Sequence, residues 1–179
     1  MSWTVDPMHT QVEFSAKHLG IFTVRGRFRT VRGEAEFDPS TPTSASGQVE
    51  IDAASLDTGD AQRDTHLRSA DFLDVENHPL ITFVTRSIEH QGGDRYRVIG
   101  DATIRGTTRP LELEATYGGV ITDPWGAQRA AVEGRTSLNR SDFGLKWNMV
   151  LEAGRLLVGE TVTITAEAEL VAKQEAVSG

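Results

Sequence analysis

Apolar and polar residues alternate one by one along most of this chain, and a strict period of two marks a β-strand with one face in water and one against a core. Val12, Phe14 and Ala16 interleave with Gln11, Glu13, Ser15 and Lys17. Phe22, Val24, Gly26 and Phe28 interleave with Thr23, Arg25, Arg27 and Arg29, and Val49, Ile51 and Ala53 with Gln48, Glu50 and Asp52. Tyr96, Val98, Gly100, Ala102 and Ile104 share a face, and Leu111, Leu113, Ala115 and Tyr117 follow across a turn at Gly106, which predicts a hairpin. Val132, Gly134, Thr136 and Leu138, then Val162, Ile164, Ala166, Ala168 and Leu170, continue the series. Gly92-Gly93 and Gly118-Gly119 read as further hairpin turns. Roughly eight such strands make an all-β antiparallel sheet, whose edges are hidden in a sandwich or a barrel.

The pattern breaks once, between Ser55 and Pro79. Asp57-Thr58-Gly59-Asp60 is turn and cap chemistry, and Ala61 to Arg68 holds helix formers without Gly or Pro, so a short helix is expected there. Asp64 and Arg68 stand four apart, the favourable order for a helical ion pair. No linker or repeat interrupts the rest, and the reading is a single domain over residues 1–171 with a flexible tail at 172–179.

Composition narrows the function. The 18 Lys and Arg against 26 Asp and Glu give a net charge of -8, the wrong sign for a nucleic-acid backbone binder. The absence of cysteine excludes disulfides, thiolate metal sites and a cysteine nucleophile. Met1 to Pro7 carries neither a basic nor an apolar leader region, so a cytoplasmic location is expected. No run approaches the roughly 18 apolar residues of a transmembrane segment.

Many inward-phase positions are small: Ala16, Gly26, Ala53, Gly100, Ala102, Gly134, Ala166 and Ala168. Protein interiors pack densely, so such a face is filled by aromatics from elsewhere, by water or by a ligand, and it leans the architecture toward a hollow barrel. Phe14, Phe28, Phe72, Phe83, Phe143 and Trp147 are the candidate cavity-lining aromatics. Phe143 and Trp147, flanking Gly144-Leu145-Lys146, have the spacing of a flap over one end.

The five histidines, at 9, 18, 66, 78 and 90, show no helical i, i+4 pair and no HxH order, so no metal is expected. No serine lies in a Gly-x-Ser-x-Gly elbow, and no glycine-rich phosphate loop is present, so neither catalysis nor a cofactor is expected. Arg25, Arg27 and Arg29 occupy the wet face of one strand, as an edge protected from aggregation or as a dimer contact.

Three longer passages are more specific. The first runs Asp52-Ala53-Ala54-Ser55-Leu56-Asp57-Thr58, Arg63-Asp64-Thr65-His66-Leu67-Arg68-Ser69-Ala70-Asp71-Phe72-Leu73-Asp74-Val75 and His78-Pro79-Leu80-Ile81-Thr82-Phe83. The second is Trp3 to Phe14 with Lys17-His18-Leu19-Gly20, and the third is Gly100 to Pro110. With Arg140-Ser141-Asp142-Phe143-Gly144-Leu145 and Val158-Gly159-Glu160-Thr161-Val162, they resemble, in order from about Trp3 to Leu170, the YceI-like family. Met8-His9-Thr10 departs from the family, where Ser after the His is commoner.

The resemblance implies a lipocalin-like eight-stranded antiparallel β-barrel with a short helical insertion near its opening. It implies a protein that sequesters or carries a polyisoprenoid or isoprenoid-quinone-like lipid without covalent chemistry. The lipid tail would run past the aromatics above, and a head group would meet Arg63, His66, Arg68, Asn139 and Arg140. A homodimer is expected, partly from the family and partly because exposed strand edges favour symmetric pairing. The alternative is an isoprenoid-metabolising or metal-dependent enzyme built on Arg63, Asp64 and His66.

Overall fold

The alternating segments pair as antiparallel neighbours throughout. In the structure, a computed structural model that describes residues 1–151 and 157–174, they form β1 (Ser2–Val5), β2 (Gln11–His18), β3 (Phe22–Phe28), β4 (Val31–Asp38), β5 (Thr41–Asp52) and β6 (Leu56–Asp57). After the helix α1 (Ala61–Arg68) come β7 (Leu80–Gly92), β8 (Arg95–Ile104), β9 (Thr107–Thr122), β10 (Gln128–Asn139) and β11 (Val158–Ala172). The order β1-β4-β5-β7-β8-β9-β10-β11 closes on itself because β1 also pairs with β11, through Trp3↔Ala172 and Val5↔Leu170. The fold is therefore an eight-stranded closed antiparallel β-barrel with one short helix.

The remaining strands lengthen three staves of that barrel. β11 pairs with β1 near its end and with β2 near its start, and β2 pairs with β3, which pairs with β6. Each lengthened stave is broken where the chain must change direction. Pro7 starts a single 3-10 turn whose Asp6 cap accepts a hydrogen bond from Met8 N. Ala53–Ser55 forms another, bonded across to the β3–β4 junction through Arg29 N to Ser55 O at 3.1 Å.

Local chemistry sets the connections. Arg105 and Gly106 both have positive φ, as the two-residue hairpin between β8 and β9 requires. Gly118-Gly119 lies inside β9 rather than at a turn: the register against β10 slips between Ala130 and Val132, and Gly119 takes φ +79, so the pair forms a bulge. The turn itself falls at Asp123 to Ala127.

Helix α1 has the expected limits, capped by Asp60 accepting from Arg63 N at 3.0 Å. The expected Asp64–Arg68 pair does not form. Asp64 is buried and accepts from Thr58 N at 3.0 Å, while Arg68 reaches back to donate to Ala54 O and Leu56 O, both at 2.8 Å. Two partners fixed by the chain path outcompete an exposed pair worth a few tenths of a kcal/mol, roughly 0.2–0.5.

The core is divided between the two ends of the barrel. At the hairpin end, Trp3 is 0% exposed and stacks on Phe37 with ring centroids 4.7 Å apart, with Ala130 beside them and Leu170 and Tyr117 packed against the group. At the insertion end, Ala102, Ile104 and Phe143 cluster with Leu73, Leu111, Leu138 and Leu145. β11 runs to Ala172, and Lys173 N donates to Ser2 O at 2.8 Å; residues 175–179 lie outside the described residues.

Candidate functional site

Between the two plugs the barrel encloses a cavity of about 230 Å³. Its wall is the inward set of alternate residues, among them Val5, Ala35, Phe83, Val98, Leu113 and Ala166. Small residues account for much of the space, but not all of them leave it empty. The Phe83 ring lies over Gly100, where a Cβ would come within 2.4 Å of Cζ, and Phe14 covers Gly26 in the same way. Gly134, Ala166 and Ala168 line the open volume instead.

Two tyrosines give this apolar chamber its polar character. Tyr96 and Tyr117 both line it, with ring centroids 6.3 Å apart. The Tyr117 hydroxyl is buried without a hydrogen-bond partner, and burial pushes its pKa up. A buried donor left unmade costs about 1–3 kcal/mol. Among the lining residues the charged one is Glu34 at the rim, whose carboxylate accepts from Lys173 Nζ at 2.7 Å. The wall offers no cation.

The expected tail contacts divide accordingly. Phe83 lines the cavity, whereas Phe14 and Phe28 pack on each other at 5.2 Å, and Phe143 belongs to the plug at the insertion end. Phe72 and Trp147 meet at 5.4 Å under the insertion, with the His66 ring against both.

The five expected head-group residues also gather at the insertion end, and most of their polar atoms face the protein. Arg63 donates to the Thr58 hydroxyl and carbonyl at 2.8 and 2.9 Å, and Arg68 to the two carbonyls described above. His66 Nε2 lies 2.8 Å from Asp71, Asn139 accepts from Ser141 N, and Arg140 is buried against main-chain carbonyls. Arg63, Asp64 and His66 do not form a triad, because Arg63 and Asp64 converge on Thr58 while His66 turns to Asp71.

Two further features lie outside the chamber. A trough of about 440 Å³ on the outer face is lined by Glu13, Arg25, Arg27 and Asp57, an exposed polar surface of mixed sign. Just past β3, Arg29 Nε donates to Asp57 at 2.8 Å. Asp6, His9 and Glu169 place their ligand atoms within 4.8 Å of one another, but the Arg129 guanidinium bonds Asp6, Glu169 and Asp123, putting a fixed positive charge where a cation would sit.

In that cluster His9 Nδ1 lies 3.0 Å from Asp6, and the carboxylates of Asp6 and Glu169 raise its pKa above the ordinary 6.5. The proton thus stabilises the fold below pH 6.5, and its contribution is lost as pH rises through the raised value. An NMR titration of the His9 ring is expected to give a midpoint above 6.5 that falls in Asp6→Asn. An unshifted midpoint would dissolve the cluster.

Tyr117 was not among the expected cavity-lining residues, although its inward phase on β9 was readable, and neither were Pro42, Ala45 and Ile88. Among the described residues, no helix is long and apolar enough to cross a membrane.

The YceI-like domain model matches residues 3–170. A UPF0312 protein of Vibrio cholerae is 38% identical over 138 residues, 77% of this chain and 73% of that protein. A UPF0312 protein of Pseudomonas savastanoi pv. phaseolicola is 40% identical over the same length, 77% and 72% of the two chains. Among solved structures, Burkholderia cenocepacia BcnA superposes with a TM-score of 0.79 at 28% identity, covering 94% of this chain and 99% of that one. A polyisoprenoid binding domain from Saccharophagus degradans shares the fold, with a TM-score of 0.71 at 15% identity over 96% and 98% of the two chains. The chain belongs to the YceI-like domain family.

Proposed function

We propose that this protein is a binding protein that takes the chain of an amphipathic lipid, a polyisoprenoid or isoprenoid quinone with an uncharged head, into its barrel without covalent chemistry. The observation that carries the reading is the apolar internal cavity, walled by residues such as Phe83, Val98, Leu113 and Ala166. Family membership supports it, as does the fold shared with a polyisoprenoid binding domain. Each CH₂ moved from water into such a wall contributes about 0.8 kcal/mol. An uncharged head fits a wall that lacks Lys, Arg and His, because a diphosphate would be desolvated there without a counter-ion.

The test is a titration of delipidated protein with a prenylated phenol, a prenylated quinone and a prenyl diphosphate of equal chain length. The neutral ligands are expected to bind at least tenfold tighter than the diphosphate. Ala166→Phe, which fills the chamber, is expected to weaken them tenfold or more while the protein still melts cooperatively. Absence of binding by all three ligands, or indifference to Ala166→Phe, overturns the proposal. Tyr117→Phe removes the unpartnered hydroxyl, and the empty protein is expected to gain about 1 kcal/mol of stability.

A further inference from the structure

Packed side chains lie toward both ends of the chamber, Trp3 stacked on Phe37 at one and Phe143 with Leu73 and Leu145 at the other. The wall, however, is not continuous. β5 and β7 are paired over five rungs, from Asp52↔Leu80 to Gln48↔Val84. Past Gln48, β5 keeps its bonds to β4 as far as Asp38↔Thr41, and past Val84, β7 keeps its bonds to β8 as far as Gly92↔Arg95. The facing edges, residues 41–47 and 85–92, therefore run unpaired for about 20 Å at 3.3 Å per residue.

The sequence builds this gap rather than merely failing to close it. Pro42 places a residue without an N–H on the β5 edge. β7 bulges between Thr85 and Ser87, directly after its last rung to β5, and again between His90 and Gly92, and each bulge turns an edge away from pairing. Arg86, the bulged residue, ties itself to Asp101 on β8 and so holds β7 to its other neighbour. The chamber reaches the two lips of the gap: Pro42, Ala45, Ser46, Gly47 and Gln48 on one side, Thr85 and Ile88 on the other.

We propose that the lipid enters and leaves sideways through this seam between β5 and β7. The inference rests on the lipid-binding reading above.

The absence of native cysteine makes the test direct. Ser46→Cys/Ser87→Cys, exposed serines on opposite sides of the seam, is bridged with a reducible bis-methanethiosulfonate. Uptake and release of a fluorescent prenylated phenol are then followed by stopped flow. A closed portal raises the barrier without altering either end state, so both rates are expected to fall at least tenfold by the same factor. The Kd should stay within twofold, and reductant should restore both rates. Ser87→Cys carrying a bulky maleimide adduct reads the same rates without a bridge and is expected to slow both several-fold. Unchanged rates in the bridged protein, or in the adduct where no bridge forms, overturn the seam. Wild-type protein that takes up no probe overturns the lipid reading itself.

Discussion

Truncation of Trp3 to alanine is expected to lower the stability of the fold by about 3–5 kcal/mol, the range for deleting a fully buried large aromatic. Its indole is 0% exposed, stacks on Phe37 and donates from Nε1 to the Phe37 carbonyl at 3.3 Å. The loss falls on the strand that closes the ring, because the four residues of β1 join β4 on one side to β11 on the other. The void also adjoins the chamber, which Phe37 and Leu170 line, so neighbouring side chains have little to collapse against. Urea unfolding should show a lower midpoint with an unchanged slope, and Trp3→Phe should lose less than half as much. A midpoint equal to wild type would mean that the hairpin end of the barrel is not plugged. The same variant bears on the portal: with the plug removed, a bridge across the β5–β7 seam should slow ligand uptake less than it does in the parent protein.

The parts of this architecture legible in the sequence are those that depend on near neighbours. Period two assigned Tyr96 to Tyr117 their inward faces, and Asp60 before a run of helix formers set the start of α1. Val31, Gly33, Ala35 and Phe37 carry the same alternation and mark β4, a strand easily passed over because two of its four inward residues are small. What depends on register was not legible. Whether Gly100 opens space or receives the Phe83 ring is decided by which residue stands opposite it, and alternation is silent on that. Ring closure through Trp3↔Ala172 joins the two ends of the chain, and the seam is set by pairs that do not form. Pro42 was the one local hint of an unpaired edge. The arginines of the insertions posed a further ambiguity: a guanidinium near an opening serves a ligand or the main chain, and the path of the backbone decides which.

Arg140 is where that ambiguity has its largest energetic consequence. The side chain is buried, and its guanidinium donates to the carbonyls of Leu145, Trp147 and Gly159 at 2.8 to 2.9 Å and to that of Val158 at 3.3 Å. Burial holds its pKa below the ordinary arginine value, opposed by the charge of Glu160, yet the group stays protonated at any working pH. One cation thus ties the turn after β10 to the start of β11, with Phe72 5.8 Å from the guanidinium carbon. Arg140→Met keeps the stem and deletes every donor, so several buried carbonyls lose their partner while the desolvation cost of the cation is relieved. The balance is an expected loss of about 2–4 kcal/mol. Arg140→Lys should recover less than half of it, because an ammonium cannot fork to carbonyls on two chain segments as a planar guanidinium does. Thermal unfolding of the three proteins measures the stability, and the prenylated-phenol titration below the melting range measures the binding. Lost stability with an unchanged Kd assigns Arg140 to holding the β10–β11 connection, whereas a weakened Kd at unchanged stability would return it to the lipid head group.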